Sequence, residues 1–157
     1  MGAQKFATRK VSDEFIGAWK LVSYERRTAA GELTYPMGPN PVGRLAYDPM
    51  GRMSAQLMRP GRAKFASGDW FKGTDDEIKG EAGGYIAYSG PFHTDEEKQT
   101  LTHSMFVSLF PNWLGQTQPR VVKIEGDMLH LSTAAPIKSG GKETNSYLTW
   151  KRAEPNN

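Results

Sequence analysis

His103 and Tyr88 are the residues of this chain whose types and placement most directly suggest chemistry. An imidazole with an unperturbed pKa of about 6.5 can take or give a proton near neutrality. A phenol beside it can orient the ring or donate to a ligand oxygen. Each also has a plain role, since a buried histidine often hydrogen-bonds a neighbour and fills space, and tyrosine is an amphipathic wall residue. Arg120 and Arg59 add a second signal, because strand alternation points both inward, Arg59 at a strand end. An inward guanidinium is costly unless it meets a carboxylate, a carbonyl or a ligand, and its planar fork suits a polar or anionic head group. Gln118 shares the inward parity of Arg120, and Tyr47, Met53, Leu57 and Met105 complete the expected ligand lining.

Other chemistries find little support. His93, His103 and His130 lack a metal-ligand spacing, so no metal centre is expected. No strand, glycine loop and helix form a phosphate-binding unit, and no cofactor is called for. The strand serines Ser54, Ser89, Ser104 and Ser108 have no nucleophile elbow around them.

The elements that must position these residues are strands. Two alternating runs, 85–93 and 100–110, flank a polar stretch and read as a hairpin. A turn centred on Glu96-Glu97 sets Tyr88 opposite Met105 and Gly90 opposite His103. Leu101, His103, Met105, Val107 and Leu109 then face inward. Tyr88 and His103 become diagonal neighbours roughly 7–8 Å apart. A second hairpin joins 42–47 to 52–59 across Asp48-Pro49-Met50-Gly51, a type I turn sequence. A third joins 118–125 to 128–133 across Gly126-Asp127, suited to a type II′ turn; it groups Arg120, Val122 and Ile124 with Leu129, Leu131 and Thr133 and leaves His130 outside.

The first strand, 17–27, sets Trp19, Leu21 and Ser23 on one face and Lys20, Val22 and Tyr24 on the other, and the last runs over 143–152. Ser12 is placed to cap a helical turn that ends by Gly17. The break over 60–84 carries a capping-box helix start at Thr74, predicting a helix over 75–81, with Phe65, Trp70 and Phe71 as apolar anchors. Loops of this length are often lids or binding segments. About eight or nine strands with tight turns predict an all-β fold, a single closed antiparallel up-and-down β-barrel with one short helix in the 60–84 loop. The expected organisation is a loose N-terminus over 1–11, the barrel over 12–152 and a polar tail over 153–157.

Composition bounds the remainder. A chain of 157 residues fits one domain, and its 17 glycines and 10 prolines suit many strands and turns. The absence of cysteine excludes disulfides and thiolate chemistry. The net charge of +3 arises from charges scattered along the chain, giving little support to nucleic-acid or anionic-membrane binding. The opening MGAQKFATRK lacks a signal-peptide core, and no apolar run reaches the length of about 18 residues that suggests a membrane helix. A soluble cytoplasmic protein without membrane insertion is the simplest reading.

Gly17-Ala18-Trp19-Lys20-Leu21-Val22-Ser23 resembles the opening strand of lipocalins and fatty-acid-binding proteins. There a Gly-x-Trp motif starts the barrel, and the Trp plugs the closed end beneath a late basic residue. Trp150-Lys151-Arg152 could supply that partner through cation–π stacking. YPMGPNPVGRL (35–45), MSAQLMRP (53–60), GYIAYSGPF (84–92), SLFPNW (108–113) and the 126–131 stretch are together similar to the bacterial and fungal lipocalin-like domain family, from about Phe15 to Arg152. That resemblance implies a calycin-type barrel holding a small, largely apolar molecule, with both carriers and cofactor-free enzymes among related barrels.

Three readings follow. In the first, the barrel binds a small apolar or aromatic metabolite whose polar or anionic head is fixed by Arg120, Arg59, Tyr88 and His103. The second is a cofactor-independent isomerase, cyclase or lyase with His103 as acid/base and Tyr88 assisting. The third is a barrel filled by its own side chains.

Overall fold

The computed structural model describes residues 10–95 and 97–157. Of the stretch expected to be loose, residues 1–9 lie outside the described residues, as does Glu96 of the central turn. A helix α1 (Lys10–Phe15) leads into β1 (Gly17–Thr28), β2 (Leu33–Thr34), β3 (Val42–Tyr47) and β4 (Arg52–Met58). Helix α2 (Asp75–Gly83) precedes β5 (Tyr85–Asp95), β6 (Thr100–Ser104) and β7 (Val107–Ser108). A 3₁₀ turn (Pro111–Trp113) then leads to β8 (Thr117–Glu125), β9 (Met128–Thr133), β10 (Ile137–Ser139) and β11 (Lys142–Arg152).

The pairing order runs β11, β9, β8, β6, β5, β4, β3, β1, and β1 pairs back onto β11, so eight antiparallel strands close into a barrel. Strands β2, β7 and β10 are short additions. Closure leaves the barrel without the unpaired edge that invites aggregation. No helix among the described residues is long and apolar enough to cross a membrane.

The closed end is built as the Gly-x-Trp resemblance implies. Trp19 is wholly buried and donates its indole N–H to the Phe15 carbonyl at 2.9 Å. Arg152, its partner across the β1–β11 seam, lies 4.1 Å above the ring centre. The same guanidinium donates to the Ile16 carbonyl at 3.0 Å and the Glu14 carbonyl at 2.7 Å, tying the end of α1 to the last strand. Gly17 turns the chain at φ +123°, and a Cβ there would press on this arginine at 3.2 Å. Glycine is therefore required twice over.

The β8–β9 hairpin has the expected register, with Arg120 opposite Thr133 and Glu125 opposite Met128. Gly126 takes φ +58° at the first turn position, as a type II′ turn needs. The central hairpin departs from expectation by one residue at its turn. Phe92, not Gly90, faces His103, because the connection runs to Gln99 in a left-handed conformation. A one-residue displacement of the turn centre moves the register by two, so side chains keep their faces. Leu101, His103 and Met105 are accordingly buried.

Two bulges do change faces. Between Leu21 and Ser23, β1 gains a residue against β11; Val22 stays outward as alternation has it, and Tyr24 turns inward, the reverse of strict alternation. After Ser104 the chain bulges over Met105 and Phe106 before β7 pairs with β5, leaving Val107 exposed instead of inward and Leu109 partly exposed at the wall of the mouth. Gly90 makes room for this bulge, since a Cβ there would run into the Ser104 carbonyl.

The long loop is fixed by polar bonds rather than by its aromatics. Thr74 caps α2 and Glu77 closes the capping box, its second carboxylate oxygen accepting from Ala66 N–H at 2.9 Å. Trp70 and Phe71, expected as anchors, are 76% and 88% exposed and stack on each other. Helix α2 continues two residues past the expected end, and α1 begins ahead of Ser12.

Removing the Arg152 clamp should weaken the seam. Arg152→Gln is expected to destabilise the fold by about 2–3 kcal/mol in urea unfolding, from the loss of the cation–π contact and two charge-assisted bonds. Lys151→Gln, on the exposed side of the same strand, should stay within about 0.5 kcal/mol of the parent.

Candidate functional site

The mouth opposite the Trp19 floor holds two joined spaces. An outer cup of about 950 Å³ lies against the end of α2, the start of β5, the 109–113 turn and β10. A recess of about 50 Å³ continues inward toward His103, Arg120 and Trp150. Tyr24, Ile86, Trp113, Gln118 and Ile137 border both, marking the junction. Whole ligand sites span roughly 300–1,000 Å³, and one water needs only about 10–15 Å³. The cup therefore has room for a molecule, and the recess for its head.

His103 is 1% exposed although polar, and tyrosine hydroxyls flank both its nitrogens. Nε2 stands 2.7 Å from the Tyr47 hydroxyl and Nδ1 stands 3.4 Å from that of Tyr88. Burial holds the imidazole well below the usual histidine range, and the positive Arg120 nearby pushes the same way. The ring is thus neutral, with one nitrogen donating and the other accepting. The Tyr47 hydroxyl has no other partner among the described residues, so the arrangement that satisfies every group has Tyr47 donating to Nε2 and Nδ1–H donating to Tyr88. Tyr88 keeps its own hydrogen for whatever enters the recess. Burial also pushes the Tyr47 phenol well above its usual range.

Arg120 comes off β8 into the recess wall. It donates to the Gln118 side-chain oxygen at 2.8 Å and the Pro119 carbonyl at 3.1 Å, and among the described residues it meets no carboxylate within ion-pair distance. Gln118 thus braces Arg120, and its own amide donates to Gln116 at 2.9 Å. Arg59 is exposed at the cup wall, where it donates to the Pro36 carbonyl at 2.6 Å.

The expected ligand set separates by depth. Arg120, Tyr88, His103, Gln118 and Leu57 line the recess, and Arg59 lines the cup. Tyr47, Met53 and Met105 are buried but line neither space. Tyr47 packs on Phe15 and Phe92 and acts on the site through His103. Alternation distinguishes inside from outside, not floor from mouth.

Other residues of the site were not legible in advance. Tyr24 and Arg26 reach the cavity only because of the β1 bulge. The Arg26 Nε is buried without a hydrogen-bond partner. Burial raises the Tyr24 phenol pKa, against the opposing pull of Ser146 first and then Arg26. Ser146 stands near enough for that effect, yet its hydroxyl makes no hydrogen bond of good geometry. Trp150 lines the recess, and its indole N–H also lacks a partner. Trp113 meets Tyr88 and Phe110 edge-to-face, at centroid distances of 6.0 Å and 5.4 Å. The SLFPNW stretch carried the signal for Trp113, which read there only as a turn.

The charges are one-sided. Arg26, Arg59 and Lys138 line the cup and Arg120 the recess, and no Asp or Glu among the described residues lines either. The described residues also contain no cluster of His, Asp and Glu able to hold a metal.

A closed eight-stranded antiparallel barrel with a Trp-and-Arg floor and a cavity at its mouth defines a calycin-type barrel. Residues 16–153 match the model of the lipocalin-like domain family, and the chain belongs to that family. It is similar to the 4'-hydroxy-3'-methoxypropiophenone carrier protein ppsC of Aspergillus oryzae, 42% identical over 106 residues, which is 64% of this chain and 96% of the relative.

His103 gives a pH test. Its pKa is depressed in the fold, so the unfolded chain binds a proton below pH of about 6.5 that the folded protein refuses, and stability falls as pH falls through that window. The expected contribution is up to about 1.4 kcal/mol per pH unit. Urea unfolding between pH 7.5 and 5 should show a slope smaller by this amount in His103→Gln; equal slopes would show that His103 does not resist protonation.

Proposed function

We propose that this barrel is a carrier for a small aromatic molecule that presents an oxygen acceptor or anion to the recess while its body lies in the cup. The carrying observation is the charge pattern: cationic side chains from several strands line the cavity, with no carboxylate among the described residues to neutralise them. Unpaired inward guanidinium groups favour a ligand that supplies the missing acceptor.

Geometry supports the aromatic body. Trp113 stands at the junction with Tyr88 and Phe110 at its edges, leaving ring surface for offset or edge-to-face contact with a ligand. The named ligand of the similar Aspergillus protein, a methoxyphenol with a propanoyl chain, has this form: a flat ring with oxygen acceptors at opposite ends. Its size suits the cup.

Carriage accounts for His103 better than proton transfer does. Both its nitrogens are engaged by tyrosines, and burial makes it a weak base, so it could reach a ligand proton only through Tyr88.

Calorimetry with 4'-hydroxy-3'-methoxypropiophenone tests the reading. Binding is expected, with a rise in melting temperature by mass action and recovery of the compound unchanged after prolonged incubation. Arg120→Gln and Trp113→Ala should each weaken binding about tenfold or more, as the loss of a charge-assisted bond or an aromatic contact implies. Conversion that survives purification and stops in His103→Ala would replace the carrier with the acid/base enzyme.

A further inference from the structure

We infer that the cavity takes its ligand as an oxyanion, so that an acidic phenol such as a para-acylphenol enters as the neutral compound and is held as the phenolate. This rests on the carrier reading and goes beyond it by fixing the ionisation state of the bound molecule.

The recess offers several donors and a cation with no carboxylate beside it among the described residues, and its acceptors include the Ser146 and Tyr24 hydroxyls and the Gln118 carbonyl oxygen. Arg120 uses two N–H groups on Gln118 and Pro119 and has further donors in its fork. The Tyr88 hydrogen is released into the recess by the Tyr47–His103–Tyr88 chain. The Trp150 indole, also in the wall, can only donate and has no partner. The Gln118 carbonyl oxygen, the natural acceptor for a phenolic O–H, already accepts from Arg120, which weakens it for a second hydrogen. A neutral phenol would have to place its hydrogen on one of these acceptors and would bring no charge to offset Arg120. The phenolate has none to place, and it accepts from several donors, which favours the charged form.

Desolvation opposes this, as Tyr24 shows: sealed in the wall, its phenol stays protonated despite Arg26 and Arg120. The ligand differs in two respects. Its oxygen meets the Arg120 fork directly in a recess that opens to the cup, and a para-acyl group spreads phenolate charge into the carbonyl, so its pKa starts below the value of about 10 for tyrosine. The proton released on binding passes to solvent through the mouth. No covalent bond other than the O–H is broken.

The test uses the full chain and 4'-hydroxy-3'-methoxypropiophenone, whose phenolate absorbs at longer wavelength than the phenol. At a pH one unit below the pKa of the free compound, binding is expected to raise the long-wavelength band. The apparent pKa of the bound ligand should fall by at least one unit, about tenfold in favour of the anion. Calorimetry in buffers of different ionisation enthalpy should register proton release. Arg120→Gln should lose the band and Arg120→Lys retain it, with circular dichroism confirming that both are folded. 3',4'-Dimethoxypropiophenone, which cannot ionise, should bind at least about tenfold more weakly. Binding with a neutral spectrum and no proton release overturns the inference and leaves the carrier standing. No heat of binding at all overturns both, and the wild-type measurement decides between these outcomes whatever the variants do.

Discussion

Closure of the sheet between β1 and β11 is the constraint on which the interior depends. Once the last strand pairs with the first, every inward side chain must fill space or line a cavity, because no edge remains through which the core can relax. The Trp19–Arg152 stack fixes which end is filled. Around it Phe15, Leu45, Tyr47, Met53 and Phe92 pack into a floor, and the volume left over lies at the other end. The barrel is therefore neither wholly filled nor hollow. Its solid half holds the register that aims His103 and Arg120.

The bulge in β1 gives the mouth its character. An uninterrupted strand would send Tyr24 and Arg26 to the outer face beside Val22 and put Ser23 and Glu25 inward, making the cavity less positive. One extra residue opposite β11 reverses this and delivers a phenol and a guanidinium to the site. The bulge after Ser104 works similarly: it releases Val107 to solvent and lets the chain turn back so that Leu109 meets the cup and Trp113 reaches the junction. Both irregularities lie toward the open end. The floor keeps strict alternation.

This explains what the sequence could and could not reveal. The hairpins at Asp48–Gly51 and Gly126-Asp127 were legible because glycine and proline occupy positions that particular turns demand. The central turn carried no such marker among its charged residues, yet its displacement preserved parity, so the inward face of β6 survived. A bulge has no comparable signature. At Leu21, Val22 and Ser23 an extra residue is indistinguishable from ordinary alternation until the partner strand is in place. Depth was hidden as well: Tyr47 and Tyr88 share an inward parity, but only the tilt of paired strands puts one in the floor and the other in the recess wall. Trp70 and Phe71 show the converse failure, apolar residues taken for anchors where polar caps at Thr74 and Glu77 hold the loop.

A buried histidine in a cationic site needs its own explanation, since an apolar residue would fill the space without desolvating two ring nitrogens. The hydrogen-bond directions supply one. Neutral His103 accepts from Tyr47 and donates to Tyr88, so Tyr88 presents a hydrogen to the recess rather than a lone pair. Protonation would make both ring nitrogens donors, and the Tyr47 hydrogen would then lose its acceptor in a closed core. That conflict adds to the burial and the Arg120 field that keep the ring uncharged. The imidazole thereby carries hydrogen-bond direction from the rigid floor to the open mouth without adding a charge. In a cavity already lined by arginine and lysine, an added cation would be expensive, and a fixed neutral donor at Tyr88 would complement the acceptor proposed for the Arg120 recess.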